Sequence, residues 1–297
     1  MQKTNYSIII TGIAFGLTGL TSSCSKVEKK ETYNVLFIAV DDLKPNLGCY
    51  GDKFAKTPNF DRLAENGIVF NHAYCQQAVC NPSRCSMLTG KRPDDLEVYD
   101  LEKDYREKDS TVVTLPQFFK ENGYFTAWSG KVFHQGAHDQ KSWSIVKDLG
   151  SNKEFNDYKI KQYSILLEKV EEASGGRLKA DSLMHQLKST GNTWRNLWKH
   201  VIHYRVNVSI TKAETGEYDL TDGHIAKAFI DFLPELSTKN QPFFYGLGFK
   251  KPHLPFEAPA KYFDLYPLDE IQLPSNFIST ITAPSVALND YIELREY

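Results

Sequence analysis

The sequence predicts an α/β domain with a central, largely parallel sheet flanked by helices, and three observations carry that prediction. Residues 34–40 and 243–249 are nearly continuous apolar runs, as expected of central parallel strands buried on both faces. Helix-like and strand-like segments alternate, which favours α/β over all-β. Each of three predicted strands also empties into polar residues, and an open α/β sheet binds its ligands outside the carboxyl ends of its strands.

In chain order, the first strand, 34–40, runs into Asp41-Asp42. Two adjacent carboxylates at a buried strand exit are costly unless something positive sits on them, and such hard oxygen ligands suit Ca²⁺ or Mg²⁺. A polar loop in which Asp42 caps a turn before Pro45 is the plainer alternative. Residues 58–64 follow Thr57 as a capped helix, and 68–74 as a short strand leading to Cys80. Residues 114–122 open with a capping Thr and an early Pro and end at Gly123, so they predict a helix feeding a strand at 124–129. That strand empties into Gly130-Lys131-Val132-Phe133-His134. An amphipathic helix over 222–233, ending at Pro234, precedes the strand 243–249, which empties into Lys250-Lys251-Pro252-His253. Strand exits of Asp-Asp, Lys-x-x-His and Lys-Pro-His predict one shared site.

Cys80-Asn81-Pro82-Ser83-Arg84, followed by Leu88-Thr89-Gly90, is the most specific stretch. Pro82 suits a first helical position and Asn81 can cap it, which would place Cys80 just before a helix N-terminus, where free N–H groups favour an anion. Arg84 adds a permanent charge with forked donors matched to a tetrahedral oxyanion. A buried free cysteine beside an ordinary helix start would explain a lone Cys-x-Pro, but not the fixed positions from Cys80 to Gly90.

Composition bounds the rest. The 297 residues are 41% hydrophobic and 13% aromatic, enough for one large domain or two ordinary ones. The net charge of -2 gives no reason to expect nucleic acid as a partner. Lys3 and the apolar run 8–20 predict a secretory signal too short to span a bilayer comfortably, and hence export to the periplasm, the outer membrane or the medium. Cys24 resembles the lipidated cysteine of a bacterial lipoprotein, with Thr21 where that motif prefers Leu. Cleavage near Ser23, releasing a soluble protein, is the alternative. Residues 25–33 would be a tether. Cys49, Cys75 and Cys85 give no disulfide framework, and only geometry decides whether Cys75 and Cys85 pair.

The Cys80 segment resembles the signature of type I sulfatases, in which this cysteine is oxidised after translation to formylglycine, an aldehyde. The likeness includes Val40-Asp41-Asp42-Leu43-Lys44-Pro45, Gln76-Gln77-Ala78-Val79-Cys80, Gly90-Lys91-Arg92-Pro93-Asp94, Gly130-Lys131-Val132-Phe133-His134 and Lys251-Pro252-His253-Leu254-Pro255-Phe256. It is similar to the branch of iduronate-2-sulfatase and its bacterial relatives, densely over 34–144 and 222–274 and weakly over 145–221. The resemblance implies the alkaline-phosphatase-like (sulfatase) fold and one Ca²⁺ held by Asp41, Asp42 and the formylglycine at Cys80. It further implies that one hydroxyl of the hydrated aldehyde attacks sulfur and His253 protonates the leaving sugar oxygen. His134 then takes the proton of the second hydroxyl as sulfate leaves, while Lys131 and Arg84 offset charge.

The family also carries later metal ligands, an Asp followed by His or Asn and then Gly, and a further lysine; these do not occur here. The expectation is therefore an incomplete N-terminal part of a catalytic domain over 34–297, its C-terminal part missing, with a variable insertion at about 145–221. Its substrate would be a sulfated polysaccharide or glycosaminoglycan sugar, and its maturation would need a formylglycine-generating enzyme. Residues 161–208 interleave basic residues with Trp194, Trp198 and Tyr204, which suits either a cleft for an acidic sugar or helices whose charges face water. A phosphatase or phosphodiesterase of the same superfamily and an inactive remnant with unmodified Cys80 are the competing readings.

Overall fold

The structure, a computed structural model, describes residues 32–134, 139–145, 148–151, 153–190, 193–206, 210–272 and 284. The signal segment, Cys24 and residues 25–31 of the tether lie outside the described residues. Strands β1 (Val35–Val40), β2 (Phe125–Gly130), β3 (Ile210–Ala213), β4 (Phe243–Phe249) and β5 (Phe256–Pro259) alternate with helices, the main ones being α1 (Pro58–Glu65), α2 (Cys80–Thr89), α3 (Pro93–Leu96), α4 (Leu115–Glu121), α5 (Lys153–Ala173), α6 (Ala180–Ser189), α7 (Thr193–His203) and α8 (Thr221–Ser237).

The principal sheet has the order β1-β4-β2 and is parallel throughout, Val35 opposing Phe244 and Thr126 opposing Phe244 from the other side. β4 is the central strand, buried on both faces as its apolar run predicts. Phe244 points into one core with Leu88, Leu96, Val98, Tyr105, Trp128 and Trp143. Its neighbours Phe243, Tyr245 and Leu247 enter the opposite core with Ile225 and Leu236 of α8. The two-residue period of the strand thus ties helices to both sheet faces. β3 and β5 form a separate parallel pair.

Several expectations are corrected. Residues 68–74 form no strand; Ile68 and Phe70 stand 83% and 69% exposed, and an apolar run without a partner strand has no ladder to join. β1 is a strand but not a doubly buried one: among the described residues it pairs only with β4, and Leu36 and Ile38 are exposed. α8 runs past Pro234 to Ser237. α4, by contrast, starts as read, with Gln117 N–H donating to the Thr114 hydroxyl at 3.2 Å.

Helices α5, α6 and α7 pack around a core of their own, made of Leu167, Val170, Leu183, Leu187, Leu197 and Val201. Tyr204 packs against that core and is half-buried.

Candidate functional site at the strand exits

The three strand exits converge because the backbone ladder continues one residue beyond each outer strand. Asp41 N–H donates to Phe249 C=O at 3.1 Å, and Lys131 N–H to Gly248 C=O at 2.8 Å. Glycine is required at this seam. Gly130 has φ +76°, and a Cβ there would lie 2.3 Å from Gly248 O; a Cβ on Gly248 would lie 2.1 Å from the Lys131 backbone. The sequence therefore turns the chain at Gly130 and delivers Lys131 beside Asp41.

Asp41 is 4% exposed and holds two cations. Arg84 Nη2 donates to Oδ1 at 2.7 Å, and Lys131 Nζ pairs with Oδ2. Arg84 Nη1 also donates to Lys131 C=O at 2.5 Å and Val132 C=O at 2.9 Å, so the guanidinium ties α2 to the β2 exit. Burial pushes the Asp41 carboxyl up, but the Arg84 and Lys131 contacts outweigh it and hold the carboxyl below its usual range. Removing Asp41 would leave two buried cations uncompensated, a loss of about 3–5 kcal/mol for a buried ion pair broken on one side.

Cys80 is the first residue of α2 rather than the residue before it, and Val79 occupies the cap position. Asn81 does not cap the helix. Its amide donates to Asp100 and Lys103 C=O, both at 2.9 Å, anchoring the helix start to the following loop. Burial raises the Cys80 thiol above its ordinary value, opposed by Lys131 and reinforced by Asp41 and Asp42. An unmodified Cys80 is therefore a thiol at neutral pH, not a ready thiolate nucleophile.

His134 follows Lys131 by three residues. Burial, then the charges of Lys131 and Arg84, depress its imidazole to about 4, so it is neutral at neutral pH. Its Nδ1 is buried without a hydrogen-bond partner among the described residues. His253 stands at the β4 exit with Nδ1 2.8 Å from Leu254 O and Nε2 3.9 Å from Asp42 Oδ2. Asp42, at φ +57°, is half exposed.

The structure thus gathers Asp41, Asp42, Cys80, Arg84, Lys131, His134 and His253 at one sheet edge. Sequence reasoning missed Asp222 and Asp148. Asp222 of α8 accepts the Lys250 and Lys251 N–H groups, each at 2.8 Å, and Asp148 accepts Gly130 N–H at 3.0 Å. Lys251 Nζ donates to Pro255 C=O at 2.5 Å, closing the turn that bears His253. Cys49, Cys75, Cys80 and Cys85 are all free; Cys85 is buried and Cys75 exposed.

An α/β sheet with a cation-rich, acid-containing edge beside a helix N-terminus is an anion-ester site in form. A sulfatase family model matches residues 33–293, and the chain belongs to the sulfatase family. It is 33% identical to the iduronate 2-sulfatase of Mus musculus over 99% of its own length and 48% of that protein, and 32% identical to a sulfatase of Formosa agariphila over 97% of its length and 53% of that protein. The chain spans about half the length of the curated relatives it matches. The crystal structure of the phosphonate monoester hydrolase of Agrobacterium radiobacter superposes with a TM-score of 0.51 at 20% identity, covering 79% of this chain and 44% of that one. The fold is the alkaline-phosphatase-like fold of the sulfatases.

Proposed function

We propose that this chain contributes the nucleophile side of a sulfuric ester hydrolase acting on a sulfated carbohydrate, with formylglycine derived from Cys80 as the reacting group. The observation that carries this reading is Cys80 at the first turn of α2, with Lys131, Asp41 and Asp42 as its charged neighbours and Arg84 on the same helix. Its raised thiol makes a poor nucleophile as cysteine, which favours an oxygen nucleophile made from it.

Asp41, Asp42 and Cys80 are the residues this chain would bring to a divalent metal such as Ca²⁺, which would polarise the ester when bound. Among the described residues no group of three or more His, Cys, Asp or Glu side chains is placed to hold a metal, and both Asp41 oxygens already face cations. The fit is partial.

The chain's own residues account for charge and protons. Arg84 and Lys131, both paired with Asp41, offset charge gathering on the sulfate oxygens. Neutral His134 accepts a proton at its unpartnered Nδ1. Donation from His253 Nδ1–H to Leu254 O leaves Nε2 to exchange a proton with the leaving sugar oxygen.

The iduronate 2-sulfatase relative supports a sulfated sugar of a polysaccharide or glycosaminoglycan as the substrate class. The pattern of residues 1–24 and 25–33 supports export, with Cys24 as the lipid anchor and a formylglycine-generating enzyme acting before folding is complete. Rates on an aryl sulfate and the matching aryl phosphate test the reading. Preference for the sulfate, lost in K131M and H134N, is expected; preference for the phosphate would replace it with phosphoryl transfer.

A further inference from the structure

Lys250 follows the central strand, between the exits that carry Asp41 and Lys131. It is half-buried, and among the described residues its ammonium makes no hydrogen bond or ion pair. The nearby acids are engaged elsewhere. Asp41 holds Arg84 and Lys131, Asp222 spends one oxygen on each of the Lys250 and Lys251 N–H groups, and Asp148 Oδ1 accepts from Gly130 and Gly150 N–H. Burial lowers the Lys250 ammonium below its ordinary value, and Lys131 pushes it further the same way, opposed by Asp222, Asp148 and Asp41. Lys159 of α5 feels Lys250 in turn.

A half-buried ammonium that faces another lysine, with no carboxylate in contact, is costly in the free protein. The same placement suits a ligand that brings negative oxygens. Two of the site's cations share Asp41, whereas Lys250 is uncommitted.

Building on the sulfatase reading, we propose that Lys250 is an anion-binding residue of the active site, its ammonium holding a negatively charged oxygen of the sulfated sugar. That oxygen belongs either to the sulfate being cleaved or to a carboxylate or second sulfate on the same sugar. No covalent step is assigned to Lys250.

The test is calorimetric binding of inorganic sulfate and of glucuronate to wild type, K131M, K250M and K250R at matched ionic strength, with turnover of 4-nitrophenyl sulfate, which carries no carboxylate, in parallel. A charge-assisted contact predicts that K250M loses about tenfold or more in affinity while K250R retains most of it. Loss towards sulfate assigns the contact to the cleaved group; loss towards glucuronate alone assigns it to a neighbouring carboxylate. The inference is overturned if K250M binds both anions like wild type, or if K250R loses as much as K250M, since the effect would then follow shape and not charge. If wild type turns over 4-nitrophenyl sulfate and K250M binds sulfate and glucuronate as wild type does, the inference falls alone. If wild type neither binds sulfate nor turns over 4-nitrophenyl sulfate, the sulfatase reading falls with it.

Discussion

The strand-exit site and the α5–α7 helices are built on opposite principles. At the strand exits, residues from four distant stretches are held by buried charge: one carboxylate, Asp41, carries both Arg84 and Lys131. In α5–α7, local helices close over Leu167, Val170, Leu183, Leu187, Leu197 and Val201, and the Lys179–Glu171 ion pair at their junction is largely open to solvent. The first region cannot lose Asp41 without stranding two buried cations. The second is held by apolar packing, so a truncation there leaves a cavity and no stranded charge.

Five experiments would break or sharpen that contrast. Replacing Cys80 by Ala should have the largest effect, lowering aryl sulfate turnover by at least about 10³-fold, because the nucleophile itself is removed. Next, D41N should destabilise the fold by about 3–5 kcal/mol in urea unfolding and abolish turnover together, a coupling that no α5–α7 substitution should show. The Asp41 contribution also has a defined pH dependence. Its carboxyl lies below the ordinary 3.8, so its stabilisation is fully present above that value and is lost as pH falls through the lowered one. D41N should flatten this acid limb.

L197A should cost about 2–5 kcal/mol within the helical core while leaving the Asp41 site and its sulfate affinity intact. An equal loss of sulfate binding would show that the two regions are one cooperative unit. His134 supplies a further pH test. With its imidazole at about 4, the base form persists well below the ordinary 6.5, so turnover should not fall with a midpoint near 6.5 on account of this residue. The smallest effect belongs to D231A, which removes an exposed pair with Lys227 one turn away; about 0.3–0.5 kcal/mol is expected, with no change in turnover.

The contrast also explains what the sequence made legible. β4 was readable because seven apolar residues in a row can be satisfied only by burial on both faces, and the polar exits at Asp41, Lys131 and His253 follow from where such strands end. α4 was readable because Thr114 and Pro116 act locally. The residues 68–74 were not, since a strand depends on a partner that composition does not reveal. Asn81 misled for a related reason: it can cap a helix, but its amide instead reaches Asp100 and Lys103, some twenty residues on. Asp222 was invisible as a site residue because its partners are backbone N–H groups 28 and 29 residues away, which leave no side-chain signature.

The central claim is that Cys80 reacts as formylglycine, and peptide mass spectrometry of the protein made together with a formylglycine-generating enzyme tests it most directly. The account predicts a Cys80 peptide lighter than the cysteine form, trapped by a hydrazide reagent, in proportion to sulfate-ester turnover. A Cys80 that stays an alkylatable thiol in fully active protein would contradict it.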